Sequence, residues 1–388
     1  MDKLQRLAIM IALACPPQAG ASTPTASGCL NAAGAQARVH AGSARDLYVA
    51  TTGSNDNPGT RSAPLRTIAR AAALATPGTA VHVAPGTYRE SVTSTIHGAS
   101  QARIRYLSQI RWGAKIRAKT EAVWTNKGSF TDITGFDISG SGRIGIANYG
   151  SHTLISGNHV HNMAISGGCT GAGGAGIVNA NYRASDGDIV GNLVHDIGVP
   201  GECARVHGIY SSNLGGQIVN NIVYRASAYG IHLWHAANRV LIANNTVFAN
   251  GASGIGGGIV IGAGDKPGGV VLNHTSVINN IVVDNPAASI REYCEAGEDC
   301  TGSSNIIANN LLYRNGRPIA LRWGAAAGTI SADPQFVHYR PDGSGNYRLK
   351  PNSPGINTGV AHSAPSTDIE HTTRPCGSAP DIGAYEQH

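Results

Sequence analysis

RVLIANNTVFAN, residues 239–250, sets an Asn, Asn245, between two short runs of β-branched and apolar residues. The same arrangement recurs at HTLISGNHVHN (152–162), GDIVGNLVHDI (187–197), GQIVNNIVYRA (216–226), TSVINNIVVDN (275–285) and SNIIANNLLYRN (304–315). The aligned residues are Asn158, Asn192, Asn221, Asn245, Asn280 and Asn310, at intervals of 34, 29, 24, 35 and 30 residues. Propeller blades would repeat more evenly, whereas solenoid coils tolerate loops of different length. Asn accepts the left-handed conformation of a tight corner and can hydrogen-bond to the same residue one coil away. The expected fold is all-β: a right-handed parallel β-helix solenoid with an N-terminal helical cap.

Composition points the same way. Gly accounts for 51 of 388 residues, aromatic residues for 5% and charged residues for 13%. Narrow coils need Gly at corners, and their interior is expected to hold Val, Ile, Leu and Ala rather than large rings. A solenoid needs no division into globular domains, since each coil contacts only its neighbours.

A second motif lies upstream of each ladder Asn: RIGIAN, AGIVNA, HGIYSSN, YGIHLWH, GGIVIGA, ASIREYC and PIALRW, aligned on Ile146, Ile177, Ile209, Ile231, Ile259, Ile290 and Ile319. If each Ile points inward, the next residue points outward, as does the residue three beyond. The first outward column reads Ala147, Val178, Tyr210, His232, Val260, Arg291 and Ala320. The second reads Tyr149, Ala180, Ser212, Trp234, Gly262, Tyr293 and Arg322. Coils about 4.8 Å apart stack these into a polar strip of Tyr210, His232 and Arg291 flanked by Trp234, Tyr293 and Arg322. The longest loops flank this strand: ISGGCTGAGGAG and GVPGECARV before it, GAGDKPGGVV and EYCEAGEDCTG after it. Insertions on one face of a repeat array mark a binding face. Trp and Tyr supply stacking surfaces for sugar rings, and Arg supplies a fork for carboxylates. Candidate substrate-binding residues are Trp234, His235, Arg291, Tyr293, Arg322 and the groove-loop Lys266.

Lys3 and Arg6 precede the apolar run LAIMIALA, and Ala19-Gly20-Ala21 follows, the pattern of an export signal over residues 1–21. Cys15 as an acylated lipoprotein cysteine is the second reading, with Ala12 where such sites carry Leu. Loss of residues 1–21 removes Asp2, Lys3 and Arg6 and lowers the net charge from +6 to +5. Six cysteines remain, and an even number in an exported chain favours disulfides. Cys294 and Cys300 bracket one loop, Cys169 and Cys203 sit in loops of successive coils, and Cys29 is left with Cys376. The expected location is secreted or periplasmic, with no membrane association after signal removal. The positive balance suits an acidic polymer, while the absence of a clustered Lys/Arg run argues against nucleic acid. Residues 22–45 read as a leader, 46–125 as the cap and first coils, 126–330 as the ladder coils and 331–388 as a segment closing the last coil. Pro64–Ala75 has helical periodicity suited to covering the open end of the stack, and Ala80–Val83 reads as the first strand. A solenoid carries its groove on one chain, so a monomer is expected.

YVATTGSNDNPGT (48–60) with PLRTIARAAALATPGTAVHVAPGTYRE (64–90) resembles the N-terminal signature of right-handed parallel β-helix proteins of the pectate-lyase-like superfamily. The tail DPQF (333–336), YRLKPNSPGINTG (347–359) and DIGAYE (381–386) is similar to that of many exported bacterial members. The resemblance implies the fold and a glycan-processing activity: polysaccharide lyase, glycoside hydrolase, uronate epimerase or phage depolymerase. His207 belongs to VHGIYSS, which resembles the His-Gly-Ile segment of polygalacturonase-type hydrolases, but the Asp pair and Arg-Ile-Lys segment of those enzymes are missing. Strict alternation points His207 inward, next to a corner where alternation breaks.

The expected activity is therefore β-elimination on a uronate-containing glycan by an exported polysaccharide lyase. It needs a base, a group that neutralises the carboxylate and an acid for the leaving oxygen. His207 or His232 is the candidate base, Tyr210 the acid, and Arg205, Arg291 or Arg322 the neutralising cation. Members of the superfamily often use Ca2+ with acidic ligands and a Lys base. Here acids near the groove are sparse (Glu202, Asp265, Glu292), so Ca2+ is the one cofactor to test. The alternatives are a glycoside hydrolase using Glu202 with Asp265 or Glu292, a uronate epimerase, and a non-catalytic glycan-binding surface protein.

Overall fold

The computed structural model describes residues 44–165, 169, 171, 173–263, 271–294, 300–323 and 325–387. Its strands form three long sheets in which hydrogen-bonded neighbours come from successive coils. In chain order around one coil, the first sheet has ten strands, from Arg45–Val49 to Ile306–Ala308. The second also has ten, from Gly86–Tyr88 to Ile330–Ser331, and the third has eight, from Val92–Ser94 to Ile290–Tyr293. Every pairing within the three sheets is parallel, for example Thr246↔Ile281 and Ile231↔Ile259. The one antiparallel pair among the described strands joins Phe336–His338 to Asn346–Leu349 in the C-terminal segment. The chain is a right-handed parallel β-helix.

Three inward columns fill the interior, one per sheet. Ile155, Ile189, Ile218, Ile242 and Val277 come from the first sheet; Val160, Val194, Val223, Val247 and Val282 come from the second. Ile146, Ile177, Ile209, Ile231, Ile259 and Ile290 come from the third. All are at most 1% exposed, so each coil adds one β-branched layer to a continuous core. The first coils depart from the expectation of a ring-free interior. Trp124 and Phe136, both fully buried, lie with centroids 5.2 Å apart, and Tyr106 meets the Trp124 edge at 5.1 Å. Large rings fill this end of the stack, and the Trp124 indole nitrogen donates to Ser94 Oγ (3.1 Å).

The six ladder Asn residues stand at the corner between the first and second sheets, each fully buried. Asn192 N donates to Asn221 Oδ1 (2.9 Å), Asn221 N to Asn245 Oδ1 (2.9 Å), and Asn245 N to Asn280 Oδ1 (3.0 Å). Each Nδ2 also donates to a carbonyl of the preceding coil, as Asn245 does to Ile218 O (2.8 Å). The left-handed residue of the corner is the one before the ladder Asn. Gly157, Gly191, Asn220, Asn244, Asn279 and Asn309 have φ between 50° and 64°. The ladder residue is held by hydrogen bonds instead. Two further ladders escaped the sequence reading: Asn126, Asn148 and Asn179 in the third sheet, and Asn250, Asn285 and Asn315 at the corner leading to it.

The helix spans Ile68–Leu74, shorter than the expected Pro64–Ala75, and Thr67 Oγ1 caps it by accepting from Arg70 N. The Glu90 carboxylate accepts from Ile68 N and Ala69 N (both 2.9 Å), satisfying two of the free amides at its start. The first strand is Arg45–Val49, which pairs with Thr79–Val83; the expected leader boundary therefore overlaps it by one residue. None of the helices among the described residues is long and apolar enough to cross a membrane. Cys169–Cys203 and Cys294–Cys300 are disulfides, as expected. Cys376 is also disulfide-bonded, while Cys29, its expected partner, lies outside the described residues, as do residues 1–43 as a whole.

Residues 331–388 were expected over the last coil; the structure lays the described part of this segment, to residue 387, along the side of the solenoid instead. Side-chain amides of the left-handed corner residues reach them: Asn220 Nδ2 donates to Thr367 O (2.7 Å), Asn244 Nδ2 to Asp381 O (2.8 Å) and Asn309 Nδ2 to Thr358 O (3.2 Å). Ile369, Ile382, Tyr347 and Phe336 then pack on the outer faces of Ile222, Tyr224, Phe248 and Ile281. The physical reason is the apolar outer face of the second sheet, which needs a cover as much as the stack end does.

Candidate active site

In the third sheet the register places Val178 beside Tyr210, Tyr210 beside His232, His232 beside Val260 and Val260 beside Arg291. This is the predicted first column, extended by a bridge from Arg291 to Ala320. Gly262 pairs with Tyr293 in the predicted second column.

His207 faces out of the coil. A Cβ built on Gly208 would meet Val223 Cγ1 at 2.3 Å inside the core, so Gly208 and Ile209 both point inward and alternation slips by one. Gly145, Gly176, Gly230 and Gly258 do the same against Val160, Val194, Val247 and Val282. Glycine is required at these positions because a side chain would collide with the second sheet's inward column. The slip turns the residue before each such Gly outward, which brings His207 to His232 and puts Tyr229 in the adjacent coil.

His207 is 4% exposed, and its Nδ1 accepts from Tyr229 N (3.4 Å). Its Nε2 lies 2.9 Å from His232 Nδ1. With Nδ1 accepting, neutral His207 carries its proton on Nε2 and donates it to His232 Nδ1. His232 then carries its own proton on Nε2, which is fully covered and has no hydrogen-bond partner among the described residues. Such an orphaned donor costs free energy unless something else accepts from it. Burial lowers the His207 imidazole to about 3. It also holds His232 well below its ordinary range, with His207, His235 and Arg291 adding to the effect. Both rings are neutral at neutral pH.

Aromatic groups surround the pair. Tyr210 stacks on His207 (5.5 Å, 13°) and meets His232 edge-on (5.1 Å, 87°). Trp234 meets His232 at 5.4 Å and stacks on Tyr293 (5.4 Å, 22°). A Cβ on Gly262 would strike Trp234 Cζ3 at 2.7 Å, so the absent side chain makes the seat for the indole. Trp234 is 9% exposed and Tyr293 39%, so Tyr293 supplies the open face of this stack. The Arg291 guanidinium lies 4.8 Å above the Tyr293 ring, and its Nη1 donates to Tyr229 Oη (3.4 Å). Burial raises the Tyr229 hydroxyl above its usual range, opposed by Arg291. His235 packs on Tyr182 (4.4 Å) and faces Tyr210 (6.1 Å).

His207, Tyr210, His232, Trp234, His235, Arg291 and Tyr293 thus form one cluster. Arg205 donates from Nη1 to Gly171 O (3.5 Å). Arg322 is exposed beyond the last strand of this sheet, its amide donating to Glu292 Oε2 (2.6 Å). Lys266 and Asp265 lie outside the described residues. Sequence reasoning missed Tyr229 and Tyr182. Tyr229 occupies the same place before Gly-Ile as His207, a signal that was available; Tyr182 is on a loop and had none.

Glu292 faces the interior, 6% exposed, and its carboxylate accepts from Arg322 N, Trp323 N and Asn305 Nδ2. It is committed to holding backbone and is unavailable as a hydrolytic acid. The described groups of the strip are nitrogen donors, aromatic rings and hydroxyls. They do not fit the all-oxygen, carboxylate-rich set that Ca2+ takes.

A family described as a protein of unknown function (DUF1565) matches residues 51–95. No curated protein matches the chain in sequence. Among solved structures, pectate lyase Pel9A is similar with a TM-score of 0.59 at 18% identity, covering 89% of this chain and 96% of its own. A rhamnogalacturonan lyase is similar with a TM-score of 0.54 at 14% identity, covering 80% of this chain and 96% of its own. At these identities the likeness is one of fold. The chain shares its parallel β-helix fold with both.

Proposed function

We propose that this protein is an exported polysaccharide lyase that cleaves a uronate-containing glycan by β-elimination along the third sheet. The observation that carries the reading is the column of Tyr210, His232 and, one coil beyond Val260, Arg291, in which His232 Nε2 has no hydrogen-bond partner among the described residues. With the hydrogen-bond direction argued above, the roles in this reading differ from those expected from sequence. His232 Nε2 carries a proton, so it serves as a donor and not as the base. His207 is a positioning residue that fixes this tautomer. Tyr210, in contact with both rings, is the group to which this reading gives the proton transfer.

In this reading Arg291 holds the uronate carboxylate and stabilises the charge that builds on it, joined by His232 Nε2–H once substrate displaces the groups that cover that nitrogen. Tyr210, entering the step as its phenolate, takes the proton alpha to the carboxylate; the bond to the leaving glycosidic oxygen breaks as the ring double bond forms. The phenol so formed then gives that proton to the leaving oxygen, which restores the phenolate. Tyr293, backed by Trp234, gives a sugar ring a stacking face. The two lyase folds found by structural similarity support the substrate class.

The test is growth of ultraviolet absorbance from the unsaturated product on a panel of polyuronates. Tyr210→Phe is expected to abolish it. His232→Gln should lower kcat by about 10²–10³, the usual loss for one donor to a developing oxyanion. New reducing ends without absorbance would establish hydrolysis instead. Binding that survives Tyr210→Phe with no turnover by the unmodified protein would make the groove a glycan-binding site only.

A further inference from the structure

On the second sheet, away from the proposed groove, three histidines from two successive coils converge. His159 and His161 lie on one strand, and His195 pairs with His161 from the next coil. One ring nitrogen from each of the three lies within 4.8 Å of the other two. His159 Nε2 and His195 Nε2 are 2.7 Å apart. Their side chains are 13–18% exposed, open enough for a small solute.

The second nitrogen of every ring faces a carboxylate. His195 Nδ1 lies 2.6 Å from Asp196 Oδ2, His159 Nδ1 lies 3.3 Å from Asp137 Oδ2, and His161 Nε2 lies 3.2 Å from Asp137 Oδ1. Arg117 pairs with Asp137 Oδ1 and Arg225 with Asp196 Oδ1, so each carboxylate is also held by an arginine. An ionised carboxylate only accepts, so both Nδ1 atoms of His159 and His195 carry protons. Two neutral rings would then aim bare lone pairs at each other across 2.7 Å. A positive centre between them removes that conflict. A shared proton needs two nitrogens, whereas this cluster supplies three. Carboxylates orienting the outer nitrogens of ligating imidazoles are the usual outer shell of a metal centre.

We propose that His159, His161 and His195 bind one first-row divalent transition-metal cation, of which Zn2+ is the natural probe. Imidazole nitrogens favour such ions over Ca2+ or Mg2+. Zn–N bonds of about 2.0–2.1 Å put tetrahedral ligand nitrogens about 3.3 Å apart, a sub-ångström opening of the His159–His195 contact. The ion would staple two successive coils beside the edge of the C-terminal cover, where His195 stacks on Tyr224 (4.6 Å, 4°).

The test titrates Zn2+ calorimetrically into the untagged full chain after chelator dialysis, with Ca2+ in parallel. One equivalent of Zn2+ should bind, Ca2+ should give no saturable heat, and the thermal midpoint should rise with the logarithm of free Zn2+. Co2+ should give visible d–d absorption. His161→Gln should weaken binding at least 100-fold, and Asp196→Asn about 10–100-fold through the outer shell. His232→Gln should bind as the unmodified chain does. Far-ultraviolet circular dichroism checks that each variant is folded. Absence of saturable Zn2+ binding by the unmodified chain, or equal binding by a folded His161→Gln variant, overturns the proposal.

Discussion

His207 sits where strand alternation slips, and the slip is caused by Gly208, whose missing side chain lets the backbone approach Val223. From that one glycine follow the outward turn of His207, its contact with His232 and the tautomer that makes His232 a donor. The burial that lowers His207 to about 3 also ties stability to pH. The unfolded chain protonates the same ring near 6.5. Between about 6.5 and 3 the unfolded state therefore binds the extra proton, and stability falls as pH is lowered through that window. Above 6.5 the full contribution of neutral His207 is present. The slope reaches about 1.4 kcal/mol per pH unit for one such group. Urea-unfolding free energies from pH 4 to pH 7 should fall more steeply on acidification for the unmodified chain than for His207→Asn. Parallel curves would show that His207 protonates normally in the folded state.

At the scale of the coil, the ladder turns a corner into a chain of satisfied amides. Asn221 accepts from Asn192 N and Nδ2 and donates to Ile189 O, Val219 O and Asn245 Oδ1. Asn221→Ala leaves buried donors and acceptors unpaired in the two adjacent coils. At about 1–3 kcal/mol for each unsatisfied group, the loss should be on the order of 3 kcal/mol or more. It would be measured as a lower urea midpoint at unchanged m-value; a loss under about 1 kcal/mol would mean that water replaces the amide. This ladder was legible because one residue type fills the column in six coils. The corner ladder of Asn250, Asn285 and Asn315 was hidden because Ile197 and Ala226 occupy the same column upstream. The outward columns of the third sheet were also legible, since parallel register follows once one inward Ile per coil is identified. The roles proposed for His207 and His232 were not: they depend on a slip in alternation and on the direction of two hydrogen bonds.

The whole molecule is a stack whose outer face is closed by its own C-terminus. Contacts of that kind leave no local pattern, since Asn244 reaches Asp381 across 137 residues. The segment is anchored by a buried ion pair, Arg374 Nη1 to Glu386 Oε2 at 3.1 Å, with side chains 0% and 1% exposed. Arg374 Nη1 also donates to Asp381 O (2.7 Å), and Glu386 accepts from Cys376 N and Asp381 N. The carboxylate thus organises the loop that the guanidinium pins. Arg374→Met would strand the Glu386 charge in the interior, a change that costs about 3–5 kcal/mol when one partner of a buried pair is removed. Because each coil rests mainly on its neighbours, that loss should fall first on the C-terminal cover. Amide hydrogen exchange should rise over residues 360–387 and over the outer face around Tyr224 and Phe248, while the Asn ladder keeps its protection. Adding Glu386→Leu removes the stranded charge and should recover part of the loss. Uniform loss of protection along all three sheets would instead make the cover and the solenoid a single cooperative unit.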